Sequence, residues 1–120
     1  MSDNPIRSAI EEAIAENEVI LFMKGTPDAP RCGFSARTVQ MMESLNVPFA
    51  AVDILPDPRI RQELSGISNW PTIPQLFHKG ELVGGCDIVT EMYESGELAE
   101  ALGAEQPEAE DAPIQIENRL

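Results

Sequence analysis

The sequence has few of the side chains that build metal centres and disulfide frameworks. It contains two cysteines, Cys32 and Cys86, which stand 54 positions apart, and a single histidine. A disulfide framework needs several cysteine pairs, and a structural zinc site needs four ligands that are mostly cysteine or histidine. One copy of the chain supplies neither, so the role of the two thiols is either chemical or one of packing.

Long hydrophobic runs and basic residues are also scarce. The longest unbroken apolar run, Val19–Met23, has five residues, whereas a membrane-spanning helix needs about 20. The first residues lack the basic start of a secretion signal, so we expect the protein to be cytoplasmic. Eight lysines and arginines stand against 21 acidic residues, a net charge of -13. This charge argues against nucleic acid and anionic membranes as partners.

What the chain does contain is typical of one globular domain with an acidic tail. Its 120 residues, of which 42% are hydrophobic, match a single domain. From residue 104 onward there are five acids, one base and two prolines, a composition that buries too little surface to fold. We predict a folded domain over residues 1–103 and a flexible acidic tail over 104–120. An alternative is that Ile114, Ile116 and Leu120 form a short docking peptide.

Helical and strand patterns alternate along the folded part. The first two predicted helices run from Pro5 to about Asn17 and from near Cys32 through Leu45. The third runs from Asp57 to about Leu64, and Gly66 stops it. The last begins with Asp87 as its cap and has Ile88 facing inward. The predicted strands are Val19–Met23, Phe49–Ile54, Gln75–His78 and Glu81–Gly84. Strands joined through helices are parallel, and the final hairpin adds antiparallel edges. We therefore predict an α/β fold of thioredoxin-like arrangement, with a mixed four-stranded sheet flanked by helices on both faces.

Cys32 is the first candidate for chemistry, because it falls at a strand-loop-helix junction. Unpaired amides at a helix start favour a thiolate and lower the pKa of a cysteine placed there. The charges of Arg31 and Lys24 would strengthen that effect. The alternative is that Cys32 is a small buried hydrophobe, which is the commoner role of cysteine. Residue 35 is a serine, which excludes an internal Cys-x-x-Cys disulfide cycle.

Two further segments stand out by composition. Trp70–Pro74 carries two prolines and either starts an edge strand rigidly or presents the backbone of Ile73 to a ligand. Gly84–Asp87 places a glycine pair before a helix, which allows the backbone to approach a ligand closely. Most such glycine pairs are only turns, and Asp87 alone would usually be a helix cap.

Taken together and in order, these segments resemble the monothiol glutaredoxins of the Cys-Gly-Phe-Ser type, in their bacterial single-domain form. The matching segments are Met23–Pro27, Cys32–Ser35, Trp70–Gln75 and Gly84–Ile88. The resemblance extends from about Ile6 to Leu102. It implies a thioredoxin fold with glutathione bound noncovalently beside Cys32.

The resemblance also implies which residues bind glutathione. Lys24 and Arg61 would contact its carboxylates, for which arginine offers two hydrogen bonds. Ile73, before a proline expected to be cis, would offer backbone hydrogen bonds to the cysteinyl part. Cys86 through its backbone and Asp87 through its carboxylate would hold the glutamyl end.

The implied function is glutathione-dependent binding and transfer of a [2Fe-2S] cluster in iron-sulfur cluster biogenesis. Two subunits would share the cluster as a homodimer, with Cys32 of each subunit and two glutathione thiolates as ligands. A BolA-like protein and iron-sulfur donor or acceptor proteins are implied partners. The alternative is a weak oxidoreductase in which Cys32 removes glutathione from protein mixed disulfides. A third interpretation is an adaptor with an inert thiol.

Overall fold

Helices and strands alternate along residues 4–104, which is the part of the chain that this computed structural model describes. The helices are α1 (Pro5–Glu16), α2 (Gly33–Ser44), α3 (Pro58–Ser68), α4 (Cys86–Ser95) and α5 (Glu97–Leu102). The strands are β1 (Val19–Met23), β2 (Gly25–Thr26), β3 (Ala29–Pro30), β4 (Ala50–Asp53), β5 (Gln75–His78) and β6 (Glu81–Gly84).

The central element is β1, in a four-stranded sheet of order β4-β1-β5-β6. It runs parallel to β4 and antiparallel to β5, and β5 continues into the β5–β6 hairpin. All five residues of β1 are buried, since helices cover both faces of the sheet. The predicted mixed four-stranded sheet is confirmed.

Two core clusters lie on opposite faces of this sheet. Helices α1 and α3 contribute Ile10, Ile14 and Leu64 to the cluster around Phe22 and Phe77. Helices α2, α4 and α5 contribute to the other cluster, around Leu21 and Leu76. Because side chains alternate along a strand, neighbouring residues of β1 enter different cores.

Three of the four predicted helix starts agree with the structure. The predicted cap at Asp87 is wrong, because Gly85 is the N-cap of α4. Two helix ends also differ from the prediction. Helix α3 runs through Gly66 and ends at Asn69, which adopts a left-handed conformation with φ 58°. A glycine inside a helix costs only about 1 kcal/mol, and the burial of Ile67 against the core outweighs it. The predicted stop at Gly66 is therefore wrong.

The last helical segment also differs from the prediction. Gly96, with φ 87°, divides it into α4 and α5. The residue at the N-cap of α4 is Gly85, and Asp87 lies in the first turn. Ile88 is 37% exposed, so its predicted inward position is wrong.

Two short features complete the fold. The loop between β1 and α2 contains the small antiparallel pair β2–β3, which the sequence did not indicate. Ala104, placed by prediction in the tail, donates its N–H to the carbonyl of Ala99 at 2.8 Å and packs against the core. The remainder of the predicted tail, residues 105–120, lies outside the described residues.

Within residues 4–104, no helix combines the length and apolarity that crossing a membrane requires.

Candidate functional site

Cys32 is the N-cap residue of α2, at the end of the loop that leaves β1. A backbone hydrogen bond of 2.8 Å from Arg31 to the carbonyl of Lys24 closes this loop. The carbonyl of Cys32 accepts the N–H of Ala36 at 2.9 Å and so begins the helix. The side chain is half-buried, which places an accessible sulfur at the positive end of a helix.

The pKa of the Cys32 thiol is lowered from the usual cysteine value. Burial is the largest single influence and opposes ionisation, but several groups together outweigh it. These groups are the backbone amides of Ser35 and Phe34, the Ser35 hydroxyl and the charge of Lys24. The amides that favour ionisation of Cys32 are thus those of the first turn of α2, at the positive end of the helix.

Ser35 connects the thiol to the end of β1. Its side chain is fully buried, and its Oγ accepts the backbone N–H of Lys24 at 3.0 Å. Since the oxygen is engaged as an acceptor, the hydroxyl proton is available to the Cys32 thiolate, in agreement with its lowering of the pKa. Ser35, which stands where a second redox cysteine would be, therefore stabilises the thiolate of Cys32.

A cavity of about 240 Å³ lies beside the start of α2. Its lining includes Phe34, Trp70, Ile73, Cys86 and Asp87. The Phe34 side chain is 62% exposed, which gives the cavity an apolar rim two residues from the thiol. The cavity thus combines apolar walls, a carboxylate and the N-terminus of α4, and Phe34 connects it to the helix start at Cys32.

A larger depression of about 710 Å³ lies between α2 and α4. Arg37, Tyr93 and Glu94 are among its lining residues, which include neither of the two thiols. The smaller cavity is lined by Ile73, Cys86 and Asp87, three of the predicted binding residues, so it is the better candidate for a ligand site.

The glycine pair allows α4 to approach the loop before β5. Gly84 has φ 151°, a conformation that favours glycine. A Cβ on Gly85 would lie 3.0 Å from the Trp70 Nε1 and 3.3 Å from the Pro74 carbonyl oxygen. A larger residue at position 85 would push the loop and the helix apart, and one at position 84 would collide with the side chain of Ile88.

Three of the five residues predicted to bind glutathione line this cavity together: Ile73, Cys86 and Asp87. The peptide bond between Ile73 and Pro74 is cis, as expected. Since β5 begins only at Gln75, the backbone of Ile73 precedes the paired part of the strand. The Cys86 thiol is half-buried and lies 3.9 Å from the Thr90 Oγ1.

The other two predicted residues, Lys24 and Arg61, do not line the cavity. Lys24 is connected to Cys32 through Ser35. Arg61 is exposed on α3, and its Nη2 donates to the carbonyl of Pro71 at 3.3 Å. The structure thus places both cations next to the loops of the site, and not among the lining residues of the cavity.

Two residues that shape the site were not singled out from the sequence. The Oδ1 of Asp53 accepts the backbone N–H groups of Gly25 at 2.9 Å and Leu55 at 3.0 Å. Gln75 is fully buried and donates from Nε2 to the carbonyls of Trp70 and Thr72, both at 3.0 Å. A polar residue inside a buried strand was the available signal for Gln75, whereas no local pattern marks Asp53.

Comparison with known proteins gives one family. The glutaredoxin family profile matches residues 19–83. "Glutaredoxin 4" of Escherichia coli K12 is 52% identical over 108 residues, covering 84% of this chain and 94% of that protein. "Monothiol glutaredoxin-S17" of Arabidopsis thaliana is 48% identical over 100 residues, covering 83% of this chain. This chain spans 20% of the length of that plant protein.

Solved structures agree with this result. The solution structure of reduced poplar apo GrxS14 matches with a TM-score of 0.70 and 49% identity, over 79% of this chain and 87% of that one. A buckwheat glutaredoxin-glutathione complex matches with a TM-score of 0.73 and 22% identity, over 82% of this chain and 87% of that one. At that identity the second likeness bears on the fold alone, and the predicted thioredoxin-like fold is confirmed.

Proposed function

Because this chain belongs to the glutaredoxin family and within it to the monothiol type, we propose that it binds glutathione beside Cys32 and carries a [2Fe-2S] cluster. The observation that carries the proposal is a half-buried thiol of lowered pKa at the start of α2, two residues before Phe34, which lines a cavity together with Asp87. The cluster is cargo in this proposal, bound and passed on in iron-sulfur cluster biogenesis.

Charge supports glutathione as the ligand. Glutathione carries two carboxylates and one ammonium group. Asp87 lines the cavity, Arg61 is hydrogen-bonded to the carbonyl of Pro71 in the loop before β5, and Lys24 is hydrogen-bonded to Ser35. Cations paired with the carboxylates and Asp87 paired with the ammonium would orient the tripeptide in one direction. The backbone groups of Ile73 and Cys86 would bind the part between the charged ends.

The donor set fits a cluster shared between two chains. Such clusters are usually held by four thiolates, and residues 4–104 contain no group of three or more metal-ligating side chains. Cys32 offers one thiolate per chain, and a second chain with two glutathione molecules would supply the rest. Half of the ligands would then be exchangeable, which suits a protein that passes the cluster on.

Anaerobic reconstitution tests this proposal. The purified chain is incubated with ferrous iron, sulfide and glutathione, and a parallel sample lacks glutathione. We expect a coloured dimer with two irons only when glutathione is present, measured by absorption, iron content and size-exclusion mass. Cys32→Ser should stay colourless, because a hydroxyl is a poor iron ligand of similar volume. The matched control Cys86→Ser should load fully.

A colourless monomer in both samples would contradict the carrier function. Full loading of Cys32→Ser would contradict the assignment of the ligand. Equal loss in both variants would make Cys86 a ligand and not a backbone contact.

The alternative function is removal of glutathione from protein mixed disulfides, and the lowered pKa of Cys32 favours it as a candidate. The Cys32 thiolate would attack the glutathione sulfur and release the protein thiolate. A second glutathione thiolate would then attack the new disulfide, which restores Cys32 and releases glutathione disulfide. A deglutathionylation assay of the cluster-free monomer measures this activity, and Cys32→Ser should abolish it.

The assignments beyond this site rest on the family resemblance. They are a homodimer in the cluster-loaded state, a BolA-like partner and iron-sulfur donor or acceptor proteins. The cytoplasmic location expected from the sequence belongs to the same proposal. Pull-down of the loaded dimer with a BolA-like protein, with Cys32→Ser as control, tests the partner assignment.

A further inference from the structure

Gln75 is a polar side chain in an apolar layer. It pairs with Phe22 of β1 and shares its side of the sheet with Phe77 two residues on. Both phenylalanines belong to the core cluster under α1 and α3, and Gln75 is fully buried beside them. A buried amide is unfavourable unless it is hydrogen-bonded, so the partners of the Gln75 side chain decide what this residue contributes.

Both hydrogen bonds of the Gln75 side chain are made to one loop. Its Nε2 donates to the carbonyls of Trp70 and Thr72, each at 3.0 Å. The carbonyl of Pro71 lies between these two, so one amide group joins the strand to two alternate peptide groups of the loop. Among the described residues, Gln75 Oε1 and Trp70 Nε1 are buried without a hydrogen-bond partner. Gln75 thus keeps the loop in place although part of its hydrogen-bonding capacity is unused.

The loop that Gln75 holds joins three parts of the site. Trp70 and Ile73 line the cavity, and the Trp70 indole lies against Gly85 at the start of α4. The carbonyl of Pro71 accepts the side chain of Arg61. A shift of the loop would therefore alter the relative positions of Ile73, Arg61 and the first turn of α4.

We propose that Gln75 is a positioning residue for glutathione binding, which acts by holding the loop of residues 70–72 in the geometry that completes the cavity. The inference rests on the proposed function, since glutathione is the ligand whose affinity it sets. Gln75 itself contacts the loop and is not required to contact the ligand.

The test replaces the amide without changing the size of the side chain. Gln75→Met keeps an unbranched side chain of similar length and removes both N–H donors. The matched control is Ile14→Val, which loosens the same core cluster from α1. Trp70 is the only tryptophan of the chain, so iodide quenching of its fluorescence measures the exposure of the loop. Calorimetry with reduced glutathione measures the affinity of the cluster-free protein.

We expect Gln75→Met to weaken glutathione binding about tenfold, which corresponds to the loss of about one hydrogen bond to the ligand. Quenching of Trp70 should increase in the same variant. Ile14→Val should lower the unfolding temperature while leaving both measurements near wild type. If Gln75→Met does not fold, Gln75→Leu takes its place with the same expectation.

Three outcomes overturn the inference, and they are distinguishable. An unchanged affinity in a folded Gln75 variant shows a structural role only, whether or not quenching increases. An equal loss of affinity in Ile14→Val shows general loosening. Failure of the wild-type protein to bind glutathione refutes the proposed function first, and this inference with it.

Discussion

Replacing Ser35 by alanine should raise the pKa of the Cys32 thiol and slow its reactions at neutral pH. The Ser35 hydroxyl is one of the groups that lower this pKa against the opposing effect of burial. It also accepts the backbone N–H of Lys24 at 3.0 Å. The variant leaves that N–H without its acceptor, which we expect to lower the free energy of unfolding by about 1–3 kcal/mol.

The pH dependence of stability follows from the direction of the shift. Because the pKa of folded Cys32 lies below that of the unfolded chain, ionisation of the thiol stabilises the fold. This contribution is complete above the unfolded-state pKa and is lost as the pH falls through the folded-state pKa. The pH-dependent part of the unfolding free energy should therefore be smaller in Ser35→Ala.

The assay is the rate of alkylation of Cys32 as a function of pH, measured in a Cys86→Ser background so that one thiol reports. The control is Ser44→Ala on the same helix, since the Ser44 hydroxyl contacts the Met41 carbonyl and the Tyr93 hydroxyl. An unchanged midpoint in Ser35→Ala would refute the assigned role of the hydroxyl. The same shift in Ser44→Ala would show that any loosening of α2 is sufficient.

Three further changes test other parts of the site. Lys24→Glu should weaken glutathione binding because it places a negative charge near a carboxylate of glutathione. The control Lys79→Glu, on the β5–β6 turn, should bind glutathione as the wild type does. Equal affinities of the two variants in calorimetry would remove Lys24 from the site. Gly85→Ala should lower the free energy of unfolding by about 1–3 kcal/mol, since its Cβ would press on an indole and a carbonyl. Denaturant unfolding measures the change in free energy. The control is Gly66→Ala, where only the flexible end of an arginine lies within 4 Å of the added Cβ. Equal losses of stability in the two variants would contradict the packing argument. Asp53→Ala removes the acceptor of two backbone amides and should lower the free energy of unfolding by about 1–3 kcal/mol. We expect faster proteolysis of the loop after β1 in the same variant. An unchanged free energy of unfolding would show that the two hydrogen bonds contribute nothing to stability.

The parts of the site that local sequence could predict are those built by neighbouring residues. An apolar strand, a loop with glycine and prolines, and an amphipathic pattern place Cys32 at a helix start, and the structure confirms that position. The helix stop at Gly66 was wrong because a local preference of about 1 kcal/mol yielded to burial of Ile67.

The rest depends on contacts between distant segments. Ile73, Cys86 and Asp87 were assigned through family resemblance, and no periodicity shows that they share one cavity. The hydrogen bonds of Gln75 join a strand residue to carbonyls of the preceding loop, so they are visible only in three dimensions. The parallel pairing of β1 with β4 similarly places Asp53 beside the Gly25 loop, 28 positions away.

Because β1 pairs with β5, the complete site forms only when the sheet is complete. The thiol side of the site follows β1, whereas the cavity lies between the loop before β5 and the start of α4. Neither half of the chain holds both parts, so a ligand that needs both is bound only by the fully paired sheet. Ligand at about 100 times its Kd would then raise the free energy of unfolding by about 2.7 kcal/mol. A partly folded chain would consequently lack a competent ligand site.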